Sequence, residues 1–224
     1  MGKVNESFGP PAGPNPLFNG ECRFCTLPES WRIVHQSPNF VTQMGLGPLA
    51  EGYALILTRG HTSCFAELGA HVLPEFMQTL DIVRKAQIST YRCSLFFEHG
   101  RSGACLPEGH GEDLCYHAHL HLLPAEIDLA QIVATDLELQ IFGSWEEVTL
   151  SYREDPLPYI LIQSGDHIAF ARTPFSLPKR YLRTKLATFV GAPELADWVA
   201  FPSYAVVRAG RDRMGAALES MELL

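Results

Sequence analysis

The sequence predicts an α+β protein, and three observations carry that expectation. Residues 117–123, His-Ala-His-Leu-His-Leu-Leu, alternate an imidazole face with an apolar face, the period of a strand. The stretch from Phe65 to Arg92 instead spaces Leu73, Phe76, Leu80 and Val83 at the period of a helix, with Pro74 suited to a first turn. Finally, Tyr159–Gln163 and His167–Arg172 flank Ser164-Gly165-Asp166, the signature of a hairpin.

In chain order, Met1 to Asn19 is rich in Pro, Gly and Asn and reads as a flexible leader. Met1-Gly2 begins like a myristoylation signal, but Glu6 stands where Ser or Thr is required. Cys22-Arg-Phe-Cys25 precedes an alternating run at residues 39–43, a Gly45–Gly47 turn, and a β-rich run from Gly52 to Thr58 that ends at Arg59-Gly60-His61. The long helix follows, then a strand from Ser94 to Glu98, a Gly-rich loop from His99 to Asp113, and the histidine strand. Beyond Pro124 the composition becomes acidic, and a domain boundary is expected near residue 125. The remainder forms an extension with the hairpin and a helix from Lys179 to Val190, closed by Gly191-Ala-Pro193. The expected organisation is a leader at 1–19, a first domain at 20–124 and a smaller α/β extension at 125–224.

Composition narrows the function. The 224 residues are 46% hydrophobic, enough for a substantial core, and no apolar run approaches the roughly 20 residues that span a bilayer. The expectation is a cytoplasmic protein without a membrane partner. With 25 acidic against 17 basic residues, the net charge of −8 argues against general nucleic-acid binding, though a small anion could still be held in a locally basic pocket. In a reducing compartment the six cysteines stay free, so Cys22 and Cys25 point to half of a metal site, with a redox pair or two buried thiols as alternatives. Cys64, Cys93, Cys105 and Cys115 have no partner spacing and read as packing residues.

Three histidines in register on an otherwise apolar strand are a stronger signal than a solvated face would give. The pattern His117-Ala-His119-Leu-His121-Leu-Leu resembles the signature of the histidine-triad (HIT) superfamily of nucleotide hydrolases and transferases. The order of Cys-x-x-Cys, strands, helix and Gly-rich loop over residues 20–124 agrees with it. The resemblance implies a mainly antiparallel sheet with a long helix, and His119 as a nucleophile toward the α-phosphorus of a nucleotide, forming a nucleotidyl-histidine intermediate. A neutral imidazole suits that task when its other nitrogen is held by an acceptor. His121 is then the donor to a non-bridging oxygen. The same resemblance implies structural Zn2+ on Cys22, Cys25, His61 and His117, and a homodimer.

The pre-triad segment departs from the family. Gly-Gln-Ser or Gly-Gln-Thr is replaced by Gly111-Glu112-Asp113-Leu114, so the phosphate-binding hydroxyl is missing and Glu112 and Asp113 become candidates for contact with the substrate, as does Glu98. A replacement phosphate site is offered by Pro178 to Lys185, with Arg180 and Arg183 as its best residues, against the plainer reading of a solvated helix face around Leu182, Leu186 and Phe189. This segment, with Glu98-His99-Gly100, also resembles a bacterial HIT subgroup that carries a C-terminal extension. Phe40 is the candidate for the base pocket, core packing being the alternative, and Gln43 the candidate for ribose. The partner implied is a nucleotide or nucleotide conjugate. Two rivals stay open at this point: a non-hydrolytic nucleotide-binding or sensing protein, and a HIT-fold enzyme recruited to another reaction in specialised biosynthesis.

Overall fold

A computed structural model describes residues 22–27, 29–101, 117–173 and 177–222. Its centre is one eight-stranded sheet in which every described pairing is antiparallel. The strands are β1 (Ile33–Gln36), β2 (Phe40–Met44), β3 (Ala54–Thr58), β4 (Leu95–Gly100), β5 (His119–Leu123), β6 (Gln140–Phe142), β7 (Tyr159–Ser164) and β8 (His167–Arg172). They lie in the order β1-β2-β3-β5-β4-β7-β8-β6. The boundary expected near residue 125 falls after β5, and the sheet continues across it because β7 pairs with β4 along its length from Phe96 to Gly100. The hairpin turn forms where Ser164-Gly165-Asp166 predicts it, with Gly165 at φ +70°.

Strand parity decides what each face of the sheet can do. Across β2, β3 and β5, the register Gln43–Leu55–His121 and Val41–Leu57–His119 places these side chains on one face. Phe40, Thr42, Ile56, Leu120 and Leu122 alternate to the other. That second face is covered by α2 (Leu73–Tyr91), α4 (Trp145–Glu154) and α6 (Tyr204–Glu222), whose Phe76, Leu80, Trp145, Val207 and Met214 complete a large apolar core. Over the histidine face lie α3 (Leu129–Val133) and α5 (Tyr181–Phe189), which contribute Leu129, Val133, Tyr181, Leu182 and Leu186 to a second core.

Local sequence explains the helix starts. Ser144 Oγ accepts from the Glu147 N–H at 3.2 Å while the Glu147 carboxylate accepts from the Gly143 N–H at 2.8 Å, a reciprocal cap that opens α4. Asp128 accepts from the Gln131 N–H at 2.9 Å and caps α3. The helix expected from Phe65 is divided: Phe65–Glu67 is a single 3-10 turn, and α2 begins only at Leu73, with Pro74 in its first turn. Among the described residues, no helix is long and apolar enough to cross a membrane.

Candidate functional site: a histidine face fastened to a thiol cluster

The three histidines do not share one environment. β5 begins at His119, so His117 stands just before the ladder, held by the Ala118 N–H donating to the Thr62 carbonyl at 2.6 Å. His117 Nε2–H donates to the Thr58 carbonyl at 2.8 Å, which leaves Nδ1 as a bare lone pair. That Nδ1 lies 3.4 Å from Cys22 Sγ and 3.5 Å from Cys25 Sγ, and His61 Nδ1 lies 3.3 Å from Cys25 Sγ. All four ligand atoms fall within 4.8 Å of one another.

This donor set fits a tetrahedral zinc ion. Zinc–sulfur and zinc–nitrogen bonds of about 2.3 and 2.0 Å put sulfur and nitrogen roughly 3.5 Å apart along a tetrahedral edge, the separation found here. The second nitrogen of His117 is anchored on a backbone carbonyl, as a metal-bound imidazole requires. Burial, and then the neighbouring Cys22, push the Cys25 thiol up to about 12, because two adjacent thiolates repel unless a cation joins them. The short helix α1 (Arg23–Thr26), capped by Cys22 and containing Cys25, lays Phe24 against the rings of His117 and His119, with centroids 5.7 and 5.0 Å away. Nothing in the sequence marks Phe24 for this contact, because only the turn between the two cysteines brings it there.

His119 is 9% exposed, and its Nδ1–H donates to the carbonyl of His117 at 2.7 Å. In the neutral ring the lone pair is therefore on Nε2. The histidine that faces the two thiols thus also fixes the tautomer of the next histidine. His121 packs flat on Phe97, with centroids 4.5 Å apart and planes at 7°, and edge-on to His119 at 4.8 Å. Its Nδ1 meets the Tyr53 hydroxyl at 2.5 Å, and its Nε2 is enclosed without a hydrogen-bond partner among the described residues. Burial, then His119, His99 and Arg183, hold the His121 imidazole well below its ordinary range, so the ring is neutral near pH 7. An enclosed, unpaired polar nitrogen of this kind costs about 1–3 kcal/mol.

Several sequence expectations change here. Phe40 is fully buried against Phe65 and Phe76, with centroids 6.2 and 5.7 Å away, on the sheet face opposite the histidines; it belongs to the core and not to a base pocket. Gln43, by contrast, lies on the histidine face, separated from His121 only by Leu55. Glu98 points away from the site: its carboxylate accepts from the Phe65 N–H at 2.8 Å and the Tyr159 hydroxyl at 2.5 Å. Burial raises its midpoint to about 7, against the opposing pull of those two donors.

The cations of α5 do not form a phosphate cradle either. Arg180 pairs with Asp197 at 3.1 Å, and Lys185 with Asp136 at 2.6 Å. Arg183 is 5% exposed and donates to the carbonyls of Gly47, Leu195 and Ala196, with its guanidinium 5.6 Å from the centroid of the Tyr53 ring. Backbone carbonyls recruit this guanidinium, and a charge pattern in the sequence cannot reveal them. Leu182 and Leu186 are buried as expected, whereas Phe189 is 61% exposed. Glu112 and Asp113 lie outside the described residues.

No family model and no curated protein matches the chain. Several solved structures resemble it. A Zn-bound histidine triad family protein from Mycobacterium smegmatis is 14% identical, with 59% of this chain and 91% of that one covered at a TM-score of 0.35. Yeast Ap4A phosphorylase in complex with AMP is 13% identical over 78% of each chain at 0.41. A uridylyltransferase is 13% identical over 97% of this chain and 98% of its own at 0.43. Histidine triad or Hit-like proteins are thus among the solved structures that the chain resembles.

Proposed function

We propose that the chain is a HIT-type nucleotide hydrolase or nucleotidyltransferase that works through covalent catalysis on His119. The observation that carries this reading is the 2.7 Å bond from His119 Nδ1–H to the His117 carbonyl, which leaves a lone pair on the Nε2 of a ring at the margin of solvent. In the first step His119 Nε2 forms a bond to the α-phosphorus as the bond from phosphorus to the leaving group breaks. The ring becomes positively charged while Nδ1 keeps its proton, and the His117 carbonyl steadies that charge. In the second step water or another acceptor attacks the same phosphorus, and neutral His119 is released.

Tyr53 and His121 supply the oxyanion side of the site. Arg183 above the Tyr53 ring makes the phenol a better donor, so Tyr53 O–H donates to His121 Nδ1 and the His121 proton resides on Nε2. That N–H is then available to a non-bridging phosphate oxygen. Gln43 lies on this same face and would contact the ribose. Zn2+ on Cys22, Cys25, His61 and His117 would act as a cross-link that fixes the His117 backbone, and its four protein ligands leave no position for a substrate.

The test is intact-protein mass spectrometry after incubation with a panel of nucleoside polyphosphates and with Ap4A, the ligand named for one yeast relative's structure. The expected result is a nucleotidyl adduct that disappears in His119→Ala and His119→Asn, with turnover lowered about a thousandfold or more. Full turnover by either variant on a substrate of the wild-type chain would refute the mechanism.

A further inference from the structure

The histidine cluster contains a fourth imidazole that the triad pattern does not include. In β4, His99 has the parity of Phe97, which sits opposite His121, so both project onto the histidine face. The rings of His99 and His121 meet edge to face with centroids 6.3 Å apart, and His99 is 8% exposed. Its environment dictates one protonation state. His99 Nε2 accepts the N–H of Leu182, in the first turn of α5, at 3.1 Å. A nitrogen that accepts a hydrogen bond carries no proton, so the ring proton is on Nδ1. Burial, and then His119, bring the midpoint of this imidazole down to about 3, and the N-terminal end of a helix opposes a second proton further.

Among the described residues, His99 Nδ1 is enclosed and has no hydrogen-bond partner, and the same is true of His121 Nε2. A packing histidine would have both nitrogens satisfied, since nearly all buried polar groups in folded proteins are. Here two orphaned nitrogens occur on neighbouring rings, each with its opposite nitrogen already engaged by the protein. His121 in turn meets edge-on the ring of His119, whose Nε2 is the proposed nucleophile. Together the two orphaned nitrogens ask for an acceptor group with more than one oxygen.

We propose that His99 is a substrate-binding residue that donates through Nδ1–H to a non-bridging oxygen of the phosphoryl group under attack, alongside His121, and that α5 holds it in the donating tautomer through the Leu182 N–H. The proposal rests on the nucleotide reading above. His99 acts as a neutral donor and exchanges no proton in the reaction. It gives the C-terminal part of the chain a role at the phosphate that its cationic side chains do not fill. It also replaces, with an imidazole, a phosphate contact that the family's pre-triad hydroxyl would supply.

The test pairs a spectroscopic readout with two variants. Nitrogen-15 correlation spectra of the imidazoles in the wild-type chain should show His99 as the Nδ1–H tautomer, with a downfield shift of that proton on adding AMP but not adenosine. His99→Gln keeps an acceptor for Leu182 and loses the Nδ1 donor, whereas His99→Asn keeps a donor near Nδ1 and loses the bond to Leu182. In titration calorimetry, His99→Gln should weaken AMP about tenfold or more, the loss of one hydrogen bond to a charged acceptor. Adenosine affinity should be unchanged, and His99→Asn should stay within about threefold of wild type for AMP. An Nε2–H tautomer, a His99 proton indifferent to AMP, or equal AMP affinity of wild type and His99→Gln would each overturn the inference while leaving the nucleotide reading intact. Failure of the wild-type chain to bind AMP and to form any nucleotidyl adduct would overturn both.

Discussion

Replacing Glu98 by glutamine should remove a pH-dependent weakness from the fold. Glu98 is fully enclosed on the sheet face opposite the histidines, and desolvation raises its midpoint from 4.5 to about 7 even though Phe65 N–H and Tyr159 O–H both donate to it. Between those two values the folded chain holds a proton that the unfolded chain has released. Folding is therefore favoured at the acid end of the window, and stability falls as pH rises through it. From 4.5 to about 7 the linkage amounts to about 3 kcal/mol. The amide of the Glu98→Gln variant keeps an oxygen for the Phe65 N–H and cannot ionise, so that protein's stability should not follow the slope. Urea unfolding of both zinc-saturated proteins between about pH 4.5 and pH 8 measures this directly, since proton linkage common to both cancels in the difference. The Glu98→Gln protein should gain about 3 kcal/mol on the wild type across the window. A difference that stays constant with pH would show that Glu98 is ionised in the folded chain throughout, and the burial argument would be wrong.

Two further outcomes follow from the site. Tyr53→Phe removes the hydroxyl that engages His121 Nδ1 at 2.5 Å and should lower kcat about tenfold with little change in nucleotide affinity; unchanged kcat would mean that Tyr53 does not set the His121 tautomer. The Cys22→Ser, Cys25→Ser double variant should lose stoichiometric zinc by elemental analysis and melt roughly 10 °C or more below the wild type, and retention of one zinc per chain would exclude the proposed ligand set.

The hairpin, the long helix and the histidine strand were legible because period and turn chemistry are local. The thiol–imidazole cluster was legible in its residue types, although Cys22, His61 and His117 meet only through the pairing of β3 with β5 and the loop before it. Phe40 and Gln43 obey a rule that the strand's period already contains. They are three apart on one strand, so they cannot face the same side, and only one of them could reach the histidines. His99 and Arg183 were harder. The partners that define them, the Leu182 N–H and the carbonyls of Gly47, Leu195 and Ala196, are backbone groups that no residue pattern announces. Part of α5's role is therefore written in main-chain geometry, and its sequence advertises charges that are spent on Asp136 and Asp197.

The place of β5 in the sheet has a consequence for assembly. β3 and β4 run the same way with one strand's width between them, and β5 fills that gap antiparallel to both. Until residues 119–123 are seated, the β1-β2-β3 unit and the β4-β7-β8-β6 unit share no ladder. The strand that bears His119 and His121 is the seam of the whole sheet. The same five residues therefore join the two sheet units and carry the histidine face, and whatever loosens that seam loosens both.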